Sequence, residues 1–205
     1  MGRIFIARHG ETVFNAAGRI QGDEGHTPLT RAGFAQADEM GEALRRELGP
    51  RPPLALWSSP SGRALQTLAV IAEHLDLDWH AARIDPRLRE IGMGAWSGLY
   101  YAELTAELGP IYDPATLLFV QQAPGGEDYP AVAERLRSWV EEFAGEEGDR
   151  LLLMHGMSAR VLRGLLTGAA PHPRCGAPVA SPLPQGSVVS IENGIETVLY
   201  VGSGR

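Results

Sequence analysis

The sequence predicts an α/β fold of three layers, α/β/α, with a mixed, mostly parallel central sheet. Two observations predict it. Short apolar runs alternate along the chain with segments whose apolar residues recur every three or four positions, the pattern of strands followed by helices. The last two apolar runs are joined by Asn193-Gly194, a dipeptide typical of tight hairpins, so at least one strand pair is antiparallel.

The strands are predicted from apolar runs that are short and bounded by polar or turn-forming residues. A buried parallel strand reads as a continuous apolar run, because both of its faces are covered. The predicted strands are residues 3–7, 54–58, 79–84 (the weakest), 151–154, 187–192 and 196–201.

The helices are predicted from apolar residues spaced for one buried face and from residues that begin or end a helix. Residues 169–186, which hold five prolines, are predicted to be irregular. The helix signals are Thr30 as an N-cap with Gly49-Pro50 as a stop, Ser61 as an N-cap, Pro130 in a first turn, and Gly168 at the end of the helix that follows residues 151–154.

Chain length predicts one domain over residues 1–205, because domains average about 150 residues. The middle of the chain is rich in glycine, proline and aromatic residues. We expect residues 91–128 to form loops and short helices that act as a lid over the site described below.

Composition excludes several classes of protein. The net charge of −7 argues against nucleic-acid binding, which needs clustered basic residues. No apolar run approaches the ~20 residues that span a bilayer, and the N-terminus is charged too early for a signal peptide, so we expect a cytoplasmic protein. The single cysteine, Cys175, excludes an intramolecular disulfide and a cysteine-rich zinc site. The six histidines show no HExxH pattern, so we expect no metal and no cofactor.

All 18 basic residues are arginine, and none is lysine. This excludes Schiff-base chemistry and a P-loop lysine. Arginine is therefore the only permanently cationic side chain that can bind an anionic ligand here.

Polar residues stand where three of the predicted strands end. Arg8-His9 follows the first strand, Ser58-Ser59 ends the second with Arg63 in the next helix, and His155 follows the strand at 151–154. Ligands of open α/β sheets bind at the carboxyl ends of strands. If these strands are parallel neighbours, two arginines can bind a phosphate beside a histidine, and a neutral histidine there is a nucleophile.

An ordered series of motifs runs through nearly the whole chain: Arg8-His9-Gly10-Glu11-Thr12 with Asn15, Arg19-Ile20-Gln21-Gly22, Pro28-Leu29-Thr30 with Gly33, Gln36 and Ala37, Ser58-Ser59-Pro60 with Arg63-Ala64 and Gln66-Thr67, Leu88-Arg89-Glu90-Ile91-Gly92, Gly94, Trp96, Ser97-Gly98, Pro124-Gly125-Gly126-Glu127, His155-Gly156 and Pro184-Gln185-Gly186-Ser187. The series resembles the histidine phosphatase (phosphoglycerate mutase-like) superfamily, in its cofactor-independent, phosphatase-type bacterial branch. The order of the motifs makes the resemblance specific, whereas a lone Arg-His-Gly tripeptide is not.

The resemblance implies a phosphoglycerate mutase-like fold and metal-independent transfer of a phosphoryl group to histidine. The arginines and histidines take the place of a metal, because positive charge and positioning carry most of this catalysis. The implied roles are His9 as nucleophile, Arg8, Arg63 and His155 as the phosphate clamp, Glu90 as general acid and then base, and Asn15, Arg19, Gln21 and Gly22 as substrate-binding residues.

Several of these residues have structural alternatives. Glu90 could pair with Arg87 or Arg89, and Glu11 could compete with it as the acid. Asn15 could only cap or turn its loop. Outside this set, Trp96 is expected in the core and Glu127 at the start of a lid or as a helix cap.

The middle of the chain bears on the choice between phosphatase and mutase. Cofactor-dependent mutases of the family carry an inserted basic segment there, whereas no basic residue lies between Arg89 and Arg135. Thr27 also departs from the family, which often has Asp at that position. We expect a phosphomonoesterase acting on a small phosphorylated metabolite, as a monomer or homodimer; a cofactor-dependent phosphoglycerate mutase and a catalytically inactive phosphate-ester-binding regulatory module are the alternatives.

Overall fold

The computed structural model describes residues 2–204 and contains a six-stranded mixed sheet in the order β3-β2-β4-β1-β5-β6. β4 pairs in parallel with β1 and β2, and β3 pairs in parallel with β2. β5 runs antiparallel to both β1 and β6. The predicted mixed, mostly parallel sheet is confirmed. The strands are β1 (Ile4–Arg8), β2 (Leu54–Ser58), β3 (Arg83–Ile84), β4 (Asp149–Met154), β5 (Val188–Glu192) and β6 (Ile195–Tyr200).

Helices cover both faces of the sheet, because successive residues of its central strands point to opposite sides. In β1, Ile4 and Ile6 pack with α5 and α6, whereas Phe5 and Ala7 pack with α2 and α3. The three predicted layers are therefore present. The helices are α1 (Val13–Ala17), α2 (Arg31–Leu48), α3 (Gly62–Leu75), α4 (Tyr101–Leu108), α5 (Tyr129–Glu142) and α6 (Gly156–Leu166).

The hairpin and the cap of α2 agree with the predictions. Asn193 and Gly194 have φ values of 50° and 77°, as a tight hairpin turn requires. The Thr30 hydroxyl accepts a hydrogen bond from the Gly33 N–H at 3.0 Å, and α2 ends at Leu48 with Gly49 as its C-cap.

Two local predictions were wrong or incomplete, and one short helix was not predicted. Residues 79–84 do not form one strand: Trp79–Ala81 is a 3-10 turn, capped by Asp78, and only Arg83–Ile84 pairs with β2. Ser61 precedes α3, but its hydroxyl makes no capping bond. The polar stretch after β1 contains the short helix α1, which begins with a capping box between Thr12 and Asn15.

Residues 91–128 contribute to the core on the α5 and α6 side. Trp96 is buried, as expected. That this segment closes over the site as a lid remains a prediction. Its other buried hydrophobic side chains are Ile91, Met93, Leu104, Ile111, Leu118 and Ala123.

The loop after β1 lies directly against the first turn of α2. A Cβ atom on Gly10 would lie 2.2 Å from the Gly33 carbonyl oxygen, and one on Gly33 would lie 2.1 Å from the Glu11 carbonyl oxygen. Only glycine permits this approach of the two backbones. This backbone contact fixes the position of His9, the residue before Gly10.

Over residues 2–204, every helix is too short or too polar to cross a lipid bilayer.

Candidate active site

The predicted residues converge at the carboxyl ends of β1, β2 and β4. Arg8 is in register with Met154, and Ser58 is in register with Leu153, so the residues that follow these strands are neighbours. The rings of His9 and His155 lie edge to face, with centroids 5.1 Å apart. β1, β4 and β2 are therefore parallel neighbours, which is the condition for a shared site at their carboxyl ends.

His9 is buried, with 2% of its surface exposed. Its Nδ1 lies 2.7 Å from the Gly10 carbonyl oxygen, which can only accept, so Nδ1 carries the proton. Nε2 makes no hydrogen bond within residues 2–204, and it holds the free lone pair. Burial, followed by the charges of Arg63 and Arg8, lowers the pKa of His9 well below 6.5. His9 is a neutral imidazole with one available nitrogen.

His155 has protein partners on both ring nitrogens. Nδ1 accepts a hydrogen bond from Arg63 Nε at 3.2 Å, and Nε2 donates to Ser59 Oγ at 2.7 Å. An arginine N–H can only donate, so the proton of His155 is on Nε2. Burial and the charge of Arg63 lower the pKa of this histidine as well. The Ser61 hydroxyl, which does not cap α3, lies 3.4 Å from the same Nε2.

Arg63 is completely buried and holds the loop between residues 22 and 27. It donates to the carbonyl oxygens of Gly22 and Glu24 and to the Thr27 hydroxyl, besides His155. Four of its five N–H groups are thus bonded to the protein. Burial lowers its pKa to about 10. Thr27, the departure from the family pattern, serves here as an acceptor for Arg63.

Arg8 presents its guanidinium to the cavity. Nη1 donates to the Leu183 carbonyl oxygen at 3.3 Å, and Nε is buried with no hydrogen-bond partner among residues 2–204. Burial lowers the pKa of Arg8, whereas the charge of Glu90 acts in the opposite direction. A buried guanidinium N–H without an acceptor is costly, so Arg8 is suited to bind an anion.

The Glu90 carboxylate lies at the N-terminus of α6. It accepts hydrogen bonds from the backbone N–H groups of Met157 and Ser158, the latter at 2.8 Å. Neither arginine that the sequence offered as a partner pairs with it. Arg87 pairs with Asp85 and Glu142, and Arg89 pairs with Glu127.

Glu127 and Arg135 fix the backbone that carries Glu90. Arg135 donates to the Glu90 carbonyl oxygen at 3.2 Å and to the Glu127 carboxylate, which also accepts from the Gly92 N–H. Glu127 is not a helix cap, contrary to one expectation. Asp128 caps α5 instead, through a bond of 2.8 Å from the Ala131 N–H.

A cavity of about 90 Å³ lies over His9 and Arg8. Glu11, the alternative acid, does not line it and accepts a hydrogen bond from the Thr30 hydroxyl at 2.7 Å. Arg19 donates to the Tyr100 hydroxyl at the rim, at 2.9 Å. The cavity is lined by Arg8, His9, Asn15, Arg19, Ile20, Gln21, Gly22, Glu90, Ile91, Met93, Tyr101, Phe119, Gly156 and Met157.

Gln185 was not predicted as a site residue, although it stands in the last motif of the series. Its Nε2 donates to the Gly10 carbonyl oxygen at 3.1 Å and to Asn15 Oδ1 at 2.9 Å. The Gly10 carbonyl is the group that orients His9. Asn15 Oδ1 also accepts from the Thr12 N–H, so Asn15 both caps α1 and lines the cavity.

We expect Gln185→Glu to impair turnover more than Gln185→Ala. A carboxylate cannot donate to Gly10 or Asn15, and its negative charge favours protonated His9. Both variants should lower kcat/KM by about tenfold or more, because small displacements of reacting groups are costly. In Gln185→Glu alone, the acid limb of the pH profile of kcat/KM should also move to higher pH. The exposed Gln122→Glu is the control, and an unchanged pH profile in Gln185→Glu would contradict the positioning role.

Stability should fall on acidification because of the two buried histidines. Their pKa values are lowered in the folded state, so below about pH 6.5 the unfolded chain binds more protons. Stability therefore rises with pH through the acid range and levels off near about pH 7, where histidines of the unfolded chain are also neutral. Each unit by which the pKa of a histidine is lowered contributes about 1.4 kcal/mol to this rise. Asp85 and Glu127, whose pKa values are lowered by arginine partners, add to the loss at lower pH. In thermal unfolding, His155→Gln should show a shallower dependence of Tm on pH; an unchanged slope would refute this account.

The chain is similar to known proteins over most of its length. The chain matches the family model of the histidine phosphatase superfamily (branch 1) over residues 4–192. A glucosyl-3-phosphoglycerate phosphatase from Mycobacterium tuberculosis is 35% identical over 149 residues, covering 71% of this chain and 61% of that protein. The match thus spans about three fifths of that relative's length. A protein named "Probable phosphoglycerate mutase GpmB" from Yersinia enterocolitica is 33% identical over 176 residues, covering 83% of this chain and 77% of that protein.

Solved structures resemble the chain over its whole length. A mycobacterial glucosyl-3-phosphoglycerate phosphatase, solved in complex with VO3, has a TM-score of 0.78 and 29% sequence identity, with 100% of both chains covered. A structure described as mycobacterial hydrolase 1 has a TM-score of 0.77 and 26% identity, covering 100% of this chain and 99% of that one. The predicted fold is that of these structures.

Proposed function

The chain belongs to the histidine phosphatase superfamily (branch 1), and from this premise we propose that it is a metal-independent phosphomonoesterase acting on small phosphorylated metabolites. One observation carries the proposal. His9 is buried and neutral, its Nε2 makes no hydrogen bond within residues 2–204, and it lines the same cavity as Arg8. A nucleophile and a cation for the phosphate thus share one small space.

In the first step, His9 Nε2 attacks phosphorus and the bond to the ester oxygen breaks. Glu90, in its protonated form, donates the proton that the leaving alkoxide needs. The phosphoryl group is then bonded to His9. The Gly10 carbonyl holds Nδ1–H throughout and stabilises the positive charge that develops on the ring.

In the second step, Glu90 accepts a proton from water as the water attacks the phosphohistidine. Inorganic phosphate leaves, and His9 is again neutral. Arg8 lines the cavity and counters the charge on the phosphoryl oxygens. Arg63 and His155 do not line it, and they hold each other in place through the bond from Arg63 Nε to His155 Nδ1, so both act in the clamp by positioning.

The walls of the cavity favour water over a phosphoglycerate as the acceptor. Tyr101 and Phe119 line the cavity, and the segment that contains them carries no basic residue between Arg89 and Arg135. A mutase must hold a bisphosphate while it turns over. The inactive regulatory module is the weakest alternative, because His9, Arg8 and Glu90 are all present and face one cavity.

The test is release of inorganic phosphate from a panel of phosphate monoesters with excess chelator present. 3-Phosphoglycerate is included, and its conversion to the 2-isomer is followed in parallel. Hydrolysis that resists the chelator, without isomerisation, is the expected result. Fast isomerisation with little phosphate release would instead identify a mutase, and neither activity would favour the inactive module.

A further inference from the structure

Tyr101, the first residue of α4, lines the cavity over His9 together with Glu90 and Arg8. Its hydroxyl makes no hydrogen bond to another group of the described chain, residues 2–204. The two steps proposed above give this hydroxyl no part in the reaction. It is therefore a polar group of the cavity that is free to bind a molecule lying beside His9.

The ring of Tyr101 is held in place by two other aromatic rings and by the loop after α1. Phe119 stacks on it, with the planes 9° apart and the centroids 6.4 Å apart, and Tyr112 meets it edge to face at 6.2 Å. The backbone N–H of Tyr101 donates to the Gly18 carbonyl oxygen at 3.1 Å. Packing thus fixes the ring before any ligand binds, as a group that orients a reacting molecule requires.

Tyr101 is an uncharged phenol at neutral pH. Burial, followed by the negative charge of Glu90, raises the pKa of Tyr101 to about 12, whereas the charge of Arg8 acts in the opposite direction. Both charges act on the hydroxyl because all three groups surround one small cavity. A neutral phenol oxygen keeps lone pairs, so it can accept a hydrogen bond.

Glu90 by itself leaves the orientation of an attacking water undefined. The carboxylate is rigid, because Oε1 accepts from the N–H groups of Ile91 and Ser158 and Oε2 accepts from the N–H of Met157. A water bonded to it through one hydrogen can still turn about that bond. The cavity, of about 90 Å³, has room for about three water molecules, so the second hydrogen of such a water lies close to the lining residues.

We propose that Tyr101 selects water as the acceptor of the phosphoryl group by accepting a hydrogen bond from the attacking water. The proposal rests on the proposed phosphatase function and concerns its second step. The water oxygen bonds to phosphorus while the bond from phosphorus to His9 Nε2 breaks, and that electron pair returns to Nε2. One proton of the water goes to Glu90. The other stays on the new phosphate oxygen and points at the hydroxyl oxygen of Tyr101.

An alcohol cannot make both of these contacts. Its single O–H must point at Glu90, so its carbon chain takes the place of the second O–H and leaves Tyr101 without that bond. A site built to bind an O–H group disfavours a molecule that lacks it. A mutase returns the phosphoryl group to such an alcohol. Tyr101 therefore supplies a direct reason for hydrolysis, beside the lack of basic residues between Arg89 and Arg135.

The test measures how the phosphohistidine divides between water and an added alcohol. The substrate is 4-nitrophenyl phosphate, glycerol is present in excess, and glycerol phosphate and free phosphate are both quantified at early times. Tyr101→Phe should raise the ratio of glycerol phosphate to free phosphate about three- to tenfold, the effect of one hydrogen bond. Both products come from the same intermediate, so the ratio does not depend on the folded fraction or on the rate of the first step.

Tyr112→Phe is the matched control. It removes the same atom from a ring that packs on Tyr101 but does not line the cavity. The ratio of the two products should stay within about twofold of the wild-type value. The rate of 4-nitrophenolate release gives a second readout. Tyr101→Phe should keep a burst of one equivalent, because the first step does not use the hydroxyl, and its later steady rate should fall about three- to tenfold.

The outcomes separate the two proposals. An unchanged product ratio in Tyr101→Phe, or an equal rise in Tyr112→Phe, would overturn the role of Tyr101 and leave the phosphatase intact. Loss of the burst in Tyr101→Phe would place the hydroxyl in the first step and would overturn that role as well. If the wild-type enzyme releases no phosphate and forms no phosphohistidine, the proposed function itself has failed.

Discussion

His9→Ala should abolish hydrolysis of every phosphate ester, lowering kcat by about four to six orders of magnitude. The loss should not depend on the leaving group, because the bond from His9 to phosphorus forms before any product is released. Alanine removes the nucleophile and also the proton on Nδ1 that the Gly10 carbonyl accepts. The fold should survive, since α2 holds the same loop through Gly10 and Gly33.

The phosphoryl group itself provides the sharper readout. Wild-type enzyme quenched in base during turnover should carry one phosphoryl group on the peptide that contains His9, because phosphohistidine is stable to base and labile to acid. His9→Ala should carry none. The control is His80→Ala, an exposed histidine outside the site, which should keep full activity. Retained turnover in His9→Ala would rule out the proposed mechanism.

Glu90→Gln should lower kcat by about 10² to 10⁴ for alkyl phosphates, the usual contribution of a general acid. The amide keeps an oxygen that can accept the N–H groups of Met157 and Ser158, so the N-terminus of α6 stays paired. What it loses is the proton for the leaving alkoxide. Purified variant and wild type should therefore unfold at similar temperatures while differing widely in rate.

The leaving group separates the two roles of Glu90. 4-Nitrophenolate leaves without protonation, so Glu90→Gln should release a rapid burst of one equivalent from 4-nitrophenyl phosphate. Slow turnover should follow, because water still needs a base to attack the phosphohistidine. Glu11→Gln is the matched control for the alternative acid, and we expect less than about a tenfold loss. A larger loss in Glu11→Gln than in Glu90→Gln would reverse the assignment.

Local features of the fold were predictable because local interactions cause them. The bounds of β2 agree with the predicted strand, because a short apolar run between helical segments is typical of a buried strand. The cap at Thr30 and the hairpin at Asn193-Gly194 depend on neighbours within a few positions. The strand predicted at 79–84 failed for a related reason, because the capping bond of Asp78 competes with strand pairing there.

The sequence by itself determined the layered fold and the types of residue at the strand ends, because periodicity and composition are written along the chain. Only the tertiary structure decided how those residues are used. It joins Gln185 to Gly10, which lies 175 positions away. It also uses three N–H groups of Arg63 for hydrogen bonds to the loop at residues 22–27. These contacts follow from strand register and helix packing, which bring distant segments together and which no local pattern encodes.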